Sequence, residues 1–228
     1  FELVASHRSR KMPMELMDLN AADLDGDGTV EIVLLASSEL LLYRLLDGQF
    51  QKIAATPLPN HLRYHGLTLA DLNGNGQQEI YVSASAGEVP DSSVFEWDGR
   101  SLRQLFGHVR YYLRAMPLPD GPAVLLGQSA LAGEAGAGAI YRMRHDPQHG
   151  ISAGEPYPLP ARLNLFDFTV GDLDGDRSFE VVAINADNRM QVYAASGALL
   201  WTSTELFGAS DNFFGTLSSQ SDPEKKTV

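Results

Sequence analysis

The sequence lacks three features that would each point to a particular kind of protein. It has no cysteine, which excludes disulfides, thiolate catalysis and zinc sites built on thiolates. It has no apolar run that approaches the ~20 residues of a membrane-spanning helix. Positive charge is scarce, since 17 Lys and Arg residues face 29 Asp and Glu residues and the formal net charge is −12. An acidic chain without a basic stripe is a poor candidate for binding nucleic acid or an anionic membrane.

The rest of the composition is that of a globular protein. Apolar residues make up 44% of the chain and charged residues 20%, so the chain can bury a core and is too weakly charged to be disordered. Ten of the 29 acidic residues fall in three short segments, in groups of four, two and four. Carboxylates at this density repel one another unless a cation lies between them. Three divalent cations would cancel about half of the net charge.

The three acidic segments share one frame of nine residues. Positions 1, 3 and 5 carry Asp or Asn, position 4 is Gly, and position 9 is Glu. Side-chain oxygens at positions 1, 3 and 5, a main-chain carbonyl at position 7 and a carboxylate at position 9 suit Ca²⁺, which binds about 6–8 oxygens. The predicted ligands are Asp23, Asp25, Asp27, Thr29 and Glu31; Asp71, Asn73, Asn75, Gln77 and Glu79; and Asp172, Asp174, Asp176, Ser178 and Glu180.

Two alternatives to this interpretation have to be weighed. An EF-hand shares the start of the frame but requires a bidentate Glu at position 12. Position 12 is Leu34, Val82 or Ala183, each inside a strand-like run, which argues against an EF-hand. The other alternative is a set of ion-free hairpin turns, because Asp, Asn and Gly all favour turns. If calcium binds, we expect the weakest binding at Asp71–Glu79, which has two carboxylates where the other segments have four.

The spacing of the segments predicts four repeats of about fifty residues. The first and second segments start 48 residues apart, and the second and last start 101 residues apart, which is close to two further periods. A degenerate copy is therefore expected near residue 120, where Asp120-Gly121 remains and the other ligand residues are missing. We call the three complete segments the first loop (23–31), the second loop (71–79) and the fourth loop (172–180).

Each repeat predicts four short strands joined by tight turns, such as the turn at Asp47-Gly48. Tandem four-stranded meanders of about 40–50 residues are typical of propeller blades. We therefore predict an all-β fold, a β-propeller of ~50-residue four-stranded antiparallel blades with about four blades present. The chain is then either a fragment of a larger propeller or a ring completed by pairing of its ends. The predicted units are residues 1–13 (outer strand of a preceding blade), 14–60 (blade 1), 61–107 (blade 2), 108–160 (blade 3, degenerate, without a metal loop), 161–210 (blade 4) and 211–228 (start of a further blade or a tail).

The three loops with their flanking residues resemble FG-GAP/VCBS repeats. That family includes the propeller of integrin α subunits and many bacterial cell-surface and secreted proteins, and the loops here are more similar to its bacterial branch. The resemblance implies a calcium-stabilised propeller, usually extracellular, that serves in binding or assembly, with side-chain ligands at positions 1, 3, 5 and 9. The third repeat departs from the family pattern and is expected to lack an ion. The fourth loop has Arg177 where glycine is usual.

The first functional hypothesis is a non-enzymatic calcium-binding propeller module for protein or ligand binding or for assembly. We expect up to three structural Ca²⁺ ions, an extracellular, periplasmic or cell-surface location, and another protein or a surface glycan as the partner. The rest of the propeller or a partner chain would complete the ring. The alternative is a catalytic or lectin-like propeller that acts on carbohydrate. No acid/base pair clusters outside the loops, and we predict that Trp97 and Trp201 pack within the blades.

Overall fold

The structure, a computed structural model, contains strands and no helices in the part of the chain that it describes. The described residues are 14–118, 121–130, 138–159, 163–185 and 187–207. They form seventeen strands, which confirms the all-β prediction, and they include no helix that could cross a membrane. The predicted outer strand at 1–13, the predicted tail at 211–228 and Asp120 lie outside the described residues.

The first sheet shows how the sequence makes one unit. Its antiparallel strands, in order, are β1 (Leu16–Ala22), β2 (Glu31–Ala36), β3 (Glu39–Leu46) and β4 (Gln49–Pro57). The continuous apolar runs lie in β2 and β3, the two middle strands, which can be covered on both faces. The hairpin between β3 and β4 turns at Asp47 and Gly48, whose φ values of 50° and 73° match the type I′ turn that suits a two-residue hairpin.

The other three sheets repeat this antiparallel order. The second sheet contains β5 (Arg63–Ala70), β6 (Glu79–Ala86), β7 (Val89–Pro90), β8 (Ser92–Trp97) and β9 (Leu102–Val109), with the short β7 paired to β6 alone. The third contains β10 (Tyr112–Leu118), β11 (Gly121–Gln128), β12 (Ile140–Asp146) and β13 (Gly150–Pro156). The fourth contains β14 (Phe168–Gly171), β15 (Glu180–Ile184), β16 (Met190–Ala194) and β17 (Leu199–Thr202).

The apolar residues of the fourth repeat, from Leu165 onwards, predict a strand that starts at Leu165, but β14 begins three residues later, at Phe168. The backbone N–H of the buried Leu165 donates to Gln128 Oε1 at 2.9 Å. Gln128 Nε2 also donates to the carbonyl oxygen of Leu163 at 2.8 Å. The segment before β14 is therefore bonded to the third sheet instead of to β15, so the strand pairing starts later.

Apolar cores lie between consecutive sheets, so the sheets pack face to face. The core between the first and second sheets includes Leu24, Val33, Leu35, Leu40, Leu42, Ile80, Val82, Phe95 and Trp97. The core between the second and third includes Tyr81, Val94, Leu113, Leu125 and Met143. The core between the third and fourth includes Tyr112, Met116, Leu126, Phe168 and Val181. Ile80 and Tyr81 enter different cores because successive side chains of a strand point to opposite faces.

Polar side chains of the first strands join each sheet to the next. Strand β5 contacts both β1 and β10. The bonds are Leu67 N–H to Asp18 Oδ2 (2.8 Å), Ala115 N–H to Thr68 Oγ1 (3.0 Å), and Arg114 Nη1–H to the carbonyl oxygens of Leu165 (2.8 Å) and Phe168 (2.7 Å). First strands that lie side by side, each followed by an antiparallel meander, are the arrangement found in propeller blades.

The burial of the leucine at position 2 of each loop depends on whether another sheet packs over the loop. Leu24 is fully buried in the core between the first and second sheets. Leu72 packs partly buried against the core between the second and third sheets. Leu173 is 58% exposed, and no sheet follows the fourth among the described residues. The exposed apolar side chains in and after the fourth sheet also include Leu199, Leu200, Trp201, Leu206 and Phe207.

The two tryptophans have different environments. Trp97 is 4% exposed and lies in the core between the first and second sheets, which confirms the packing role predicted for it. The same prediction is wrong for Trp201, which is 50% exposed. Trp201 lies on β17, the edge strand of the fourth sheet, where the described chain supplies no further sheet to cover it.

We expect Leu24→Ala to lower the free energy of unfolding by about 2–5 kcal/mol, because it truncates a fully buried leucine. The matched change Leu173→Ala should alter it by no more than about 0.5 kcal/mol, because that side chain is exposed. Urea unfolding in the presence of EGTA measures both values. Equal losses for the two variants would contradict the packing of Leu24 between two sheets.

Candidate metal centre

Each of the three loops joins the first two strands of a sheet and folds around its leading aspartate. In the first loop, Asp23 Oδ1 accepts the N–H of Gly26 at 2.9 Å, and Oδ2 accepts the N–H of Gly28 at 2.8 Å. The same bonds run from Gly74 and Gly76 to Asp71 (2.7 and 2.9 Å) and from Gly175 and Arg177 to Asp172 (2.7 and 3.0 Å). Main-chain donors therefore occupy both oxygens of every leading carboxylate.

Positions 3 and 5 of each loop form Asx turns, in which a side-chain oxygen accepts the N–H two residues later. The bonds are Asp27 N–H to Asp25 (3.3 Å), Thr29 to Asp27 (2.7 Å), Asn75 to Asn73 (2.9 Å), Gln77 to Asn75 (2.8 Å), Asp176 to Asp174 (3.1 Å) and Ser178 to Asp176 (2.6 Å). One oxygen of each residue thus serves the backbone, and its second polar atom is left for another group. The main-chain carbonyl ligand at position 7 stays a prediction.

The glutamate at position 9 fastens each loop to its own second residue, a role that the ligand frame does not predict. Its Oε2 accepts the main-chain N–H of the position 2 leucine. The bonds are Leu24 to Glu31 (3.0 Å), Leu72 to Glu79 (2.8 Å) and Leu173 to Glu180 (2.9 Å). All three glutamates are buried, and each begins the second strand of its sheet. The second glutamate oxygen, Oε1, is the one left to face the centre of the loop.

Arg177 adopts the backbone conformation that glycine has in the other loops. Its φ is 71°, compared with 86° at Gly28 and 85° at Gly76. Its N–H also makes the same bond to the leading aspartate, at 3.0 Å from Asp172 Oδ2. The arginine therefore preserves the loop geometry and places a non-glycine residue in the left-handed region, which costs about 1–2 kcal/mol for residues with a Cβ.

The fourth loop leaves carboxylate oxygens that can hold a cation. Ligand oxygens of Asp172, Asp174 and Glu180 lie within 4.8 Å of one another. Within the described ranges, the hydrogen bonds to this loop use Asp174 Oδ1, Asp176 Oδ1 and Glu180 Oε2. The other oxygen of each of these residues has no donor there. Asp172, Asp174 and Glu180 therefore converge, and two of these three, Asp174 and Glu180, keep an oxygen without a described donor. Anionic oxygens of this kind suit Ca²⁺, so the three residues fit the ion.

The first loop brings Asp23, Asp25 and Asp27 together within the same 4.8 Å, but a guanidinium group already lies among its carboxylates. Arg44 Nε donates to Glu31 Oε1 at 2.6 Å. Arg44 Nη2 forms an ion pair with the same glutamate and lies 3.2 Å from Asp27 Oδ2 and 3.6 Å from Asp25 Oδ2. The first loop is therefore neutralised in part by the protein itself.

The pKa values of this group of charges agree with strong pairing. Burial lowers the pKa of Arg44, but the hydrogen bond and the negative charge of Glu31 outweigh it, so the net shift is upward. Hydrogen bonds from the Thr29 backbone and hydroxyl, together with the charge of Arg44, hold the pKa of Asp27 below its ordinary value. Arg44 and Asp27 thus stay charged together across the physiological pH range.

In the second loop, neutral amide groups stabilise the carboxylates by donating hydrogen bonds to them. Asn73 Nδ2 donates to Glu79 Oε1, and Asn75 Nδ2 donates to Glu96 Oε2 at 3.0 Å. The hydroxyl of Tyr81 donates to Glu79 Oε2 at 2.7 Å. Burial raises the pKa of Glu79, because a charged carboxylate is poorly solvated there. These contacts agree with the expectation that the second loop binds calcium weakly, and that expectation remains a prediction.

A known family matches the first two loops. The family model described as the FG-GAP-like repeat matches residues 23–82, from the leading aspartate of the first loop to the strand after the second loop. These residues are similar to FG-GAP-like repeats. The match confirms the resemblance inferred from the loop frame. The fourth loop lies outside the matched residues and repeats the same hydrogen bonds. A search among curated proteins finds no match.

Among solved structures, the chain is similar to the "Crystal structure of BBS1N in complex with ARL6DN, soaked with lead". The TM-score is 0.53 and the sequence identity is 14%, and the match covers 88% of this chain and 59% of the other. At this identity the similarity shows the fold alone. Because the match covers 59% of that chain, this chain spans little more than half of its length.

One position near each loop lies outside the FG-GAP-like frame and differs in charge. It is the residue of the neighbouring hairpin strand that pairs with the closing glutamate. The pairs are Glu31 with Arg44, Glu79 with Glu96 and Glu180 with Ala194. The facing residue is thus positive at the first loop, negative at the second and uncharged at the fourth. Arg44 and Glu96 are the two functional candidates that the ligand frame misses.

The third repeat has no room for the frame. Strand β10 ends at Leu118 and β11 begins at Gly121, and these two residues pair with each other. The connection is therefore two residues long, whereas eight residues join the corresponding strands of the other sheets. The third sheet keeps the meander without a ligand loop.

We expect Arg177→Gly to raise the free energy of unfolding by up to ~1 kcal/mol, because glycine adopts a positive φ without strain. The converse change, Gly28→Ala, should lower it by about 1–2 kcal/mol. An added Cβ at Gly28 meets no atom within 4 Å, so this variant measures backbone strain without a clash. Urea unfolding in EGTA tests both changes, and a loss of stability in Arg177→Gly would contradict the strain assigned to that residue.

Proposed function

We propose that this protein is a non-enzymatic calcium-binding β-propeller module for protein or ligand binding or assembly, at the cell surface, in the cell envelope or outside the cell. The observation that carries the proposal is the fourth loop, where carboxylate oxygens of Asp172, Asp174 and Glu180 converge on a backbone framework shared by three loops. Four meander sheets with neighbouring first strands support the propeller. The FG-GAP-like match supports the choice of a binding module.

The proposed role of calcium is structural. Asp174, Asp176 and Glu180 would hold the ion beside Asp172, and the bound ion would supply positive charge that offsets their mutual repulsion. The loop connects β14 to β15, so the ion would stabilise the start of the fourth sheet. Ion binding to the native state alone shifts the folding equilibrium towards that state.

The proposed partner surface includes the uncovered side of the fourth sheet. The matching leucines of the first and second loops pack against a following sheet, whereas Leu173 is exposed together with Trp201 and Leu206. Exposed apolar residues that form a patch mark interaction sites, and we propose that these side chains belong to one. The rest of a propeller, or a partner chain, would cover them and complete the ring.

A contact of catalytic type outside the loops joins His65 Nε2 to Ser85 Oγ at 2.9 Å. Ser85 is 2% exposed, so its hydroxyl is not open to a substrate. Burial, with a smaller contribution from Arg63, lowers the pKa of His65 to about 4, and its ring packs edge-on against Tyr112 at 5.5 Å. We interpret the pair as a packing contact, and it gives the catalytic alternative no support.

Ca²⁺ should raise the melting temperature and EGTA should lower it. At a Ca²⁺ concentration 100 times Kd, the stabilisation is about 2.7 kcal/mol, or roughly 5–10 °C for a chain of this size. Asp176→Asn should remove most of this shift, because it takes a carboxylate from the fourth loop. Asp187→Asn is the control, since it removes an exposed acid of the same sheet outside the loop. Differential scanning calorimetry makes the measurement, and an unchanged melting temperature in EGTA would refute the stabilising role.

A glycan array separates the protein-binding proposal from the lectin-like alternative. We expect no selective glycan binding, because Trp97 is buried and its Nε1 donates to Asp25 Oδ2 at 3.1 Å, which leaves no sugar-stacking face. Trp201 is the one tryptophan that could stack on a sugar. Selective binding to a glycan that Trp201→Ala abolishes would favour the lectin-like function, and Trp97→Phe on the same array is the matched variant.

A further inference from the structure

We propose that Arg44 is the resident cation of the first loop, and that it holds this loop closed without Ca²⁺ and prevents the ion from binding there. Three of the four frame carboxylates meet its guanidinium group. They are Glu31, Asp27 and Asp25. The proposal does not depend on whether the fourth loop binds calcium, since it concerns a loop with a different facing residue.

Every carboxylate oxygen of the first loop already meets a donor or Arg44, so an ion would have to share these oxygens with their donors and displace the guanidinium. Donors from the loop backbone take both oxygens of Asp23, one oxygen of Asp25, one of Asp27 and one of Glu31. The remaining Asp25 oxygen accepts the indole N–H of Trp97 at 3.1 Å. The remaining oxygens of Asp27 and Glu31 face Arg44. The fourth loop, by contrast, keeps three carboxylate oxygens without a described donor.

Arg44 cannot leave the site as a neutral group. Its guanidinium is protonated at every physiological pH, and it pairs with Glu31, Asp27 and Asp25. The side chain is 19% exposed, and Glu31 is fully buried. A divalent ion among these carboxylates would lie a few ångströms from the guanidinium and would be repelled by it. The two cations are therefore alternatives for one site.

The neighbouring sheet holds the first loop in this closed form. Trp97 reaches Asp25 from β8, and the N–H of Gln78 in the second loop donates to the carbonyl oxygen of Leu24 at 2.9 Å. The fourth loop has no such clamp among the described residues, and its facing residue is Ala194. The same frame thus produces a loop closed by arginine and a loop open to a metal.

Terbium luminescence can report on the first loop alone. Tb³⁺ is a luminescent substitute for Ca²⁺ and is sensitised by a nearby indole, and Trp97 contacts a ligand residue of this loop. The chain has two tryptophans, and Trp97 also lies near the second loop, since its neighbour Glu96 accepts from Asn75. A background of Trp201→Phe and Asp71→Asn therefore leaves Trp97 as the single indole and takes a carboxylate from the second loop. Excitation at the red edge of the absorption selects tryptophan over the tyrosines.

In this background we expect Arg44→Met to create a Trp97-sensitised Tb³⁺ signal that Ca²⁺ displaces, with one more Ca²⁺ bound per chain by calorimetry. Removal of the guanidinium should tighten Ca²⁺ binding at the first loop by roughly 100-fold or more, from the Coulomb repulsion that is lost. The melting temperature of Arg44→Met should fall in EGTA and recover in Ca²⁺.

Two variants control for other effects of the change. Arg44→Lys keeps a positive charge in the loop and should give no signal. Arg144→Met removes an exposed arginine that pairs with Glu155 in the third sheet, so it changes the net charge equally and should also give no signal.

The parent protein supplies a test that needs no variant at Arg44. A Trp97-sensitised Tb³⁺ signal that Ca²⁺ displaces in the parent of this background, with Trp201→Phe and Asp71→Asn, would overturn the proposal, because it would show that the first loop binds the ion with Arg44 present. A folded Arg44→Met protein without the signal would overturn it as well. Absence of any Ca²⁺ binding to the parent chain in calorimetry would refute calcium at the fourth loop and leave the Arg44 result to be judged by the Tb³⁺ signal.

Discussion

The structure depends on how each loop neutralises carboxylates that its own fold forces together. Main-chain N–H groups stabilise the leading aspartate in the same way in all three loops, since they donate to both oxygens of Asp23, Asp71 and Asp172. The rest of the charge is met differently. A guanidinium faces the first loop, amide groups face the carboxylates of the second, and no described donor faces the free oxygens of the fourth. One backbone frame therefore supports three electrostatic arrangements, and only the last leaves carboxylate oxygens without a described donor.

The same loops also connect the electrostatics to the hydrophobic core. The closing glutamate binds the N–H of the position 2 leucine, so the orientation of a carboxylate fixes the position of an apolar side chain. Leu24 is buried between two sheets by this arrangement, and its carbonyl oxygen is bonded to Gln78 of the second loop. Neutralising a loop thus stabilises the contact between sheets as well as the turn. Loss of charge balance in one loop should be felt at the sheet boundary that its leucine occupies.

Most of the fold can be predicted from the sequence, because the patterns that define it each span only a few neighbouring residues. The loop frame, the apolar runs and the Asp47-Gly48 turn each depend on adjacent residues, and together they predict the four meanders. The start of β14 was not predictable in this way, because Leu165 is held by Gln128, far away in the chain. The exposure of Trp201 depends on whether a further sheet follows, which no pattern within the fourth repeat reveals. In each case the prediction needed to know which distant part of the chain packs beside the strand, and the local sequence does not carry that information.

The residue that faces the closing glutamate could have been predicted from the sequence. The runs that form β2 and β3 are separated by Ser37 and Ser38, and a two-residue hairpin there sets Arg44 opposite Glu31. Ligand counting ranks the first and fourth loops as equals with four carboxylates each. Four carboxylates and the facing Arg44 leave −3 at the first loop; Asp71, Glu79 and Glu96 give −3 at the second; and four carboxylates with Arg177 in the loop and Ala194 facing it also give −3 at the fourth. The net charge therefore does not separate the loops, and the position of the positive charge does: Arg44 pairs with three carboxylates of the first loop, whereas Arg177 forms no ion pair with the fourth loop among the described residues.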